Sequence, residues 1–222
     1  MSAPPPLVER ASTRDALLDA ATRLFAERGV FEVSLAEIVR EAGQRNASAV
    51  HYHFGSRDQL LHDVLEPTVG WLRERRRALL TDALARPGDE VRPVVEVIVR
   101  PLVELARSGW RARAWMKIGT EIGAALDRAP AEIAELLRGA GGTEALALLE
   151  PRCPPMPAAV WDMRSSICIG FVSRAAADRA AALEPAEPGG AVRRPALGDE
   201  RFVQNLIDMV VGALVAPVTD VR

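Results

Sequence analysis

Residues 42–57, AGQRNASAVHYHFGSR, set two histidines around a tyrosine, and imidazoles beside a phenol are groups that bind metals or relay protons. A helix rules out the shared ion: positions two apart point roughly 200° from each other, so His51 and His53 cannot meet at one metal. His53 is expected to pack or hydrogen-bond inside its own domain. His62 is the only other histidine, and no CxxC, HExxH, Gly-rich phosphate loop or Ser-His-Asp set accompanies the three. Cys153 and Cys168 stand fifteen apart, which matches neither a zinc site nor a disulfide framework. The reading is therefore no enzyme, no metal and no cofactor.

The elements around this stretch are helical. Ser12 and Thr13 precede RDALLDAATRLFAERG, with Asp15 placed as a capping-box partner, Leu17, Ala20, Ala21, Leu24 and Phe25 at helical spacing, and Gly29 as the stop. Ser34 and Glu37 open a second helix with Leu35, Ile38, Val39 and Ala42 as its buried stripe, and Gly43 closes it. Asn46 caps a third, ASAVHYHF, which Gly55 breaks before Ser56 and Gln59 start a fourth. Three helices joined by a tight turn make a helix-turn-helix. The eight residues of the third, at ~1.5 Å each, form a rod of roughly 12 Å, short enough for a major groove about 12 Å wide. Val50 and Phe54 face its core, leaving Ser48, Ala49, His51 and Tyr52 pointing outward.

The 222 residues are nearly half apolar and rich in Ala, with 5% aromatic side chains, a composition that favours helices over strands. The fold class is all-α, a three-helix head joined to a larger helical domain. The expected divisions are a disordered arm at 1–11, the head at 12–56 and the larger domain at 57–222. Net charge is −2, Lys117 is the single lysine, and acidic side chains offset the arginines of the head, so no basic patch forms. The N-terminus lacks the features of a signal peptide, and the longest apolar runs are too short to span a bilayer, so a soluble cytoplasmic protein without membrane contact is expected.

In the second domain, Pro67 and Pro101 fall inside long helices and are expected to bend them. PAEIAELLRGAGG starts a helix with Pro130 at the first position, EPRCPPMP is a loop, and a long helix runs from Ala158 to about Leu183. The run RERRR, Arg73–Arg77, reads as a solvated face. Trp71, Trp110, Trp115, Met116, Met163 and Phe171, with Thr120 as a polar anchor, are candidate walls of a small-molecule cavity. Lys117 and Glu121 are further polar groups there. In DERFVQNLIDMVVGALVAP, the residues Phe202, Leu206, Ile207, Val210 and Leu214 belong to a broad apolar face. A helix so apolar is expected to be buried on all sides, part of its cover coming from a second copy of the chain.

TRDALLDAATRLFAERGVFEVSLAEIVREAG followed by YHFGSRDQLL resembles the DNA-binding head of the TetR family of bacterial transcriptional regulators, over roughly residues 12–61. One departure is length: QRNASAVHYHF counts eleven residues where the commoner pattern has ten, so Arg45 and Asn46 sit in an extended turn. The resemblance implies that Ser48, Ala49, His51 and Tyr52 enter the major groove of a double-stranded DNA operator, with Arg45 and Asn46 beside them. Ser56 and Arg57 at the fourth helix, and Thr13 and Arg14 at the first, would take phosphates. It also implies a homodimeric repressor, released from a palindromic operator by a small-molecule effector in the second domain. The alternative is an effector-independent DNA-binding or partner-binding adaptor.

Overall fold

The computed structural model describes residues 12–46, 48–85, 90–182 and 197–219. The expected arm at 1–11 and most of the Pro- and Gly-rich connection after Leu183 lie outside the described residues. Among these, the chain forms ten α-helices and no strand: α1 Thr13–Arg28, α2 Leu35–Glu41, α3 Ser48–Phe54, α4 Arg57–Leu84, α5 Val91–Ala106, α6 Trp110–Ala124, α7 Ala131–Arg138, α8 Gly142–Leu149, α9 Ala158–Ala182 and α10 Asp199–Val215.

The caps read from sequence are made. Ser12 accepts from the Asp15 amide at 3.1 Å, and Ser34 and Glu37 form a reciprocal capping box at the start of α2. The Glu37 carboxylate accepts from the Ser34 amide at 2.9 Å and the Ser34 hydroxyl at 2.7 Å, and meets Arg28 at 2.7 Å. These bonds, the Ser34 amide first, hold its carboxyl down to about 2. Gly29 ends α1 at φ +96°, a conformation that side chains with a Cβ avoid.

Helix α4 runs from the head into the body, burying Leu60 and Leu61 near its start and Leu65, Val69 and Leu72 further on. In the body α5 is buried on most sides, packed by α4, α8, α9 and α10. Two expectations shift here. Pro130 stands one position earlier than expected, as the cap before α7, with φ −53° and ψ 143°. Helix α8 is unassigned by the sequence reading. It starts beyond Gly141, whose φ of +82° lets the chain reverse directly after α7.

The reading of α10 is corrected. Its stripe Val203, Leu206, Ile207, Val210 and Leu214 is buried within the subunit, against α5 and α9, and Phe202 is half-buried beneath the Arg179 guanidinium at 5.2 Å. Its other side, with Met209, Gly212 and Ala213, is exposed in the single chain. Ion pairs from Arg92 to Asp208 and from Arg100 to Glu200 join α5 to α10, and Arg164 closes the C-terminal end of α10 by donating to the Ala216 and Pro217 carbonyls.

Candidate nucleic-acid interface and effector cavity

Helix α3 is held from inside and capped from its start. The Asn46 side chain accepts from the Ser48 amide at 2.9 Å, while Val50 is 0% and Phe54 5% exposed. Ser48 and His51 are exposed and Ala49 is half-buried. Tyr52 is 85% exposed, an unusual position for the chain's single tyrosine. His51 donates from Nδ1 to the Gly55 carbonyl at 2.9 Å, which fixes the imidazole at the end of the helix. His53 is half-buried, with its ring edge-on to Tyr52 at 4.9 Å between centroids and tilted against Phe54. Among the described residues no group of His, Cys, Asp and Glu could hold a metal ion.

The helix starts around α3 are less open than their sequence implies. Ser56 caps α4, accepting from the Gln59 amide at 3.0 Å. Arg57 corrects an expectation: instead of standing beside Ser56, its guanidinium turns inward, donates to the Val30 and Val33 carbonyls, and lies 5.3 Å from the Phe25 ring centroid. At α1, Thr13 is half-buried, the Ser12 hydroxyl donates to the Asp15 carboxylate at 2.7 Å, and Arg14 pairs with Asp63 at 2.5 Å while lying over the Phe54 ring. Arg45 is exposed in the turn, and so is Arg40 in the last turn of α2. Arg40 is a cation that the sequence reading leaves out, although its place opposite the buried stripe was legible.

Between α4, α5, α6, α7, α8 and α9 lies a cavity of about 350 Å³. Three expected wall residues line it, Trp115, Met116 and Thr120. Four do not. Trp71 is exposed, Trp110 is covered by the Arg23 and Arg111 guanidinium groups at the border with the head, and Met163 and Phe171 lie on the outside of α9. The α9 residues that do reach the cavity are Ile169, Val172 and Ser173.

The arginine run is also corrected. Arg73 donates to the Gly139 carbonyl at 2.7 Å and Arg75 forms a two-bond pair with Glu104, both at 2.7 Å. Arg76 is 8% exposed, lines the cavity, and donates from Nη1 to the Ala140 carbonyl at 2.7 Å. Only Glu74 and Arg77 remain fully at the surface. The turn after α7 supplies carbonyls that no local pattern in the run announces.

Helix α6 touches both sites. Trp115, Met116, Gly119 and Thr120 face the cavity, whereas both Glu121 carboxylate oxygens accept from the Val30 amide at 3.0 Å. The Val30 peptide is thus gripped by α6 through its N–H and by Arg57 of α4 through its carbonyl. Arg111 on α6 adds a pair with Asp19 on α1 at 2.7 Å. No helix among the described residues is long and apolar enough to cross a membrane.

A family model described as bacterial regulatory proteins of the tetR family matches residues 17–64. The chain is 39% identical over 87 residues to the HTH-type transcriptional regulator BetI of Rhizobium meliloti (strain 1021), covering 39% of this chain and 42% of that protein. It is 37% identical over 73 residues to the HTH-type transcriptional repressor KstR2 of Mycolicibacterium smegmatis, covering 33% and 35%. The match thus spans about two fifths or less of these relatives. Two solved structures share the fold over most of the chain: Mycobacterium smegmatis AmtR, with 20% identity, TM-score 0.53 and coverage of 93% and 90%, and the ketosteroid transcriptional regulator KstR2 of Mycobacterium tuberculosis, with 16% identity, TM-score 0.57 and coverage of 94% and 98%.

Proposed function

We propose, from the match of residues 17–64 to the family of bacterial regulatory proteins described as tetR, that the chain is a TetR-type homodimeric DNA-binding repressor whose operator is released when a small molecule fills the body cavity. The observation that carries the reading is α3. Its inner pair, Val50 and Phe54, is locked in the head while Ser48, His51 and Tyr52 stand in solvent, the arrangement a recognition helix needs to reach base edges and the sugar-phosphate wall. The head has no basic field, so phosphate contact falls to few donors: the first amides of α4, with Arg40 and Arg45 exposed nearby.

A two-fold dimer would bring two such heads onto successive faces of a palindromic operator. The surface we assign to the dimer replaces the stripe expected on α10. It consists of Met163, Ile167, Gly170 and Phe171 on α9 with Met209, Gly212 and Ala213 on α10, an exposed apolar face with small residues that admit close helix approach. The route from cavity to head is α6. A ligand that moves α6 moves Glu121, and with it the Val30 peptide that Arg57 holds at the start of α4. The shift obtained equals the difference in ligand affinity between the two head positions.

The experiment is fluorescence anisotropy of genomic duplex fragments titrated with salt, on the full chain and on Tyr52→Ala. Affinity should fall linearly with log salt, and Tyr52→Ala should weaken binding about tenfold across sequences with the folded spectrum unchanged. Affinity flat in salt, or unaltered by the substitution, would remove α3 from the interface.

A further inference from the structure

We propose that the cavity takes a compact apolar molecule carrying a single carboxylate, held by the Arg76 guanidinium and the first amides of α8; this rests on reading the cavity as the effector site. Arg76 is 8% exposed and makes one hydrogen bond, from Nη1 to the Ala140 carbonyl, while its buried Nε has no acceptor. Four of its five N–H groups therefore have no acceptor among the described residues. No Asp or Glu lines the cavity, and Arg138, the other cation there, is engaged by Glu135. Burial alone pushes the Arg76 guanidinium down to about 10, so at neutral pH it stays charged and desolvated.

The other buried arginine of this domain shows what is missing. Arg179 is 9% exposed and its Nε too lacks an acceptor, but it has a carboxylate, Asp199, at 2.5 Å. The Arg76 site has the space for a carboxylate and lacks the residue. Its guanidinium packs against Gly142, with Nη1 3.6 Å from where a Cβ would stand, and Gly142 and Thr143 both line the cavity. These residues begin α8, whose cap Gly141 offers no side-chain acceptor to the first-turn amides. Glu144, the acid of that turn, is exposed and outside the cavity. Elsewhere the walls are mostly apolar, from Leu72, Ile98, Leu102, Trp115 and Leu146, with the hydroxyls of Ser173 and of Thr120, which donates to the Met116 carbonyl, as further polar groups. One cation and one helix start match one negative charge; a phosphate dianion would call for more donors than these walls hold.

The test is calorimetry and thermal shift of the full chain with decanoate and 4-phenylbutyrate, against decanol and 4-phenylbutanol. At least one acid should bind and raise the melting temperature, its alcohol at least tenfold more weakly, and Arg76→Met should lose at least tenfold in acid affinity while still binding DNA. Arg76→Lys, which keeps the charge and loses the fork, should recover part of it. Neither acid binding, an alcohol binding as well as its acid, or undiminished affinity in Arg76→Met overturns the proposal. The acid–alcohol comparison on the unaltered chain stands even if Arg76→Met does not fold. The anisotropy assay separates the two readings: DNA binding without acid binding rejects the carboxylate and leaves the repressor, whereas acid binding that leaves DNA affinity untouched rejects release by ligand and leaves the site.

Discussion

Two buried arginines divide the body of this molecule. Where α9 meets α10, Arg179 meets the Asp199 carboxylate and stacks on Phe202, so its charge is compensated within the subunit although its Nε has no acceptor. Where α4 meets the turn between α7 and α8, Arg76 is buried as deeply with one carbonyl for company and a cavity alongside. A buried charge is tolerated when a fold completes it, and an incomplete one is retained at a cost that binding can offset. The first kind marks structure, the second a place where something arrives.

Substitutions should split the pair. Arg179→Met leaves the half-buried Asp199 with Arg107 alone, at 3.0 Å, and should cost about 1–2 kcal/mol of stability, read by denaturant unfolding. The same exchange at Arg76 should have the opposite sign, raising the stability of the unliganded chain by about 1–2 kcal/mol, because it removes an uncompensated charge and only one hydrogen bond. A loss at both positions would show that Arg76 is as complete as Arg179. Arg57 sharpens the contrast from the head, where two carbonyls and the Phe25 ring serve in place of a carboxylate. Arg57→Ala should cost about 1–2 kcal/mol and loosen the grip on Val30, seen as faster amide exchange at that residue.

The smallest effect concerns pH. Glu37 has its folded pKa lowered to about 2 from 4.5, so its bonds to Ser34 and Arg28 add stability that is complete above pH 4.5 and lost as pH falls toward 2. Glu37→Gln should lower stability at neutral pH and flatten the profile across that window, the two chains converging as pH falls toward 2. Asp199 behaves alike on the body side, its carboxyl lowered first of all by the Arg179 hydrogen bond. Protonating it below its ordinary value of 3.8 weakens the pair, while the Arg76 site, with no acid, has nothing to titrate there.

The head was legible because its determinants are local. Ser34 and Glu37 are three apart, Val50 and Phe54 four apart, and each relation is realised as spacing implies. What was not legible depends on partners far along the chain. Arg57 turns to carbonyls 27 and 24 residues away, and the run at Arg73–Arg77 looked solvated because Gly139 and Ala140, some 65 positions on, supply its acceptors. Periodicity likewise marked which side of α10 is apolar, yet could not say that α5 and α9 already cover it. The cavity is legible in part: Trp115, Met116 and Thr120 share one side of α6, whereas Trp71 and Phe171 have only their residue type to suggest a wall and face outward.

Selection of bound duplexes from a random pool by the full chain tests most directly whether α3 reads DNA as part of a two-fold dimer. The account predicts recovery of one palindromic sequence, with half-sites about one helical turn apart or a multiple of it, bound about tenfold more weakly when Tyr52 is replaced by Ala. A pool that gains no common sequence, or a single unrepeated half-site bound by a lone subunit, would contradict it.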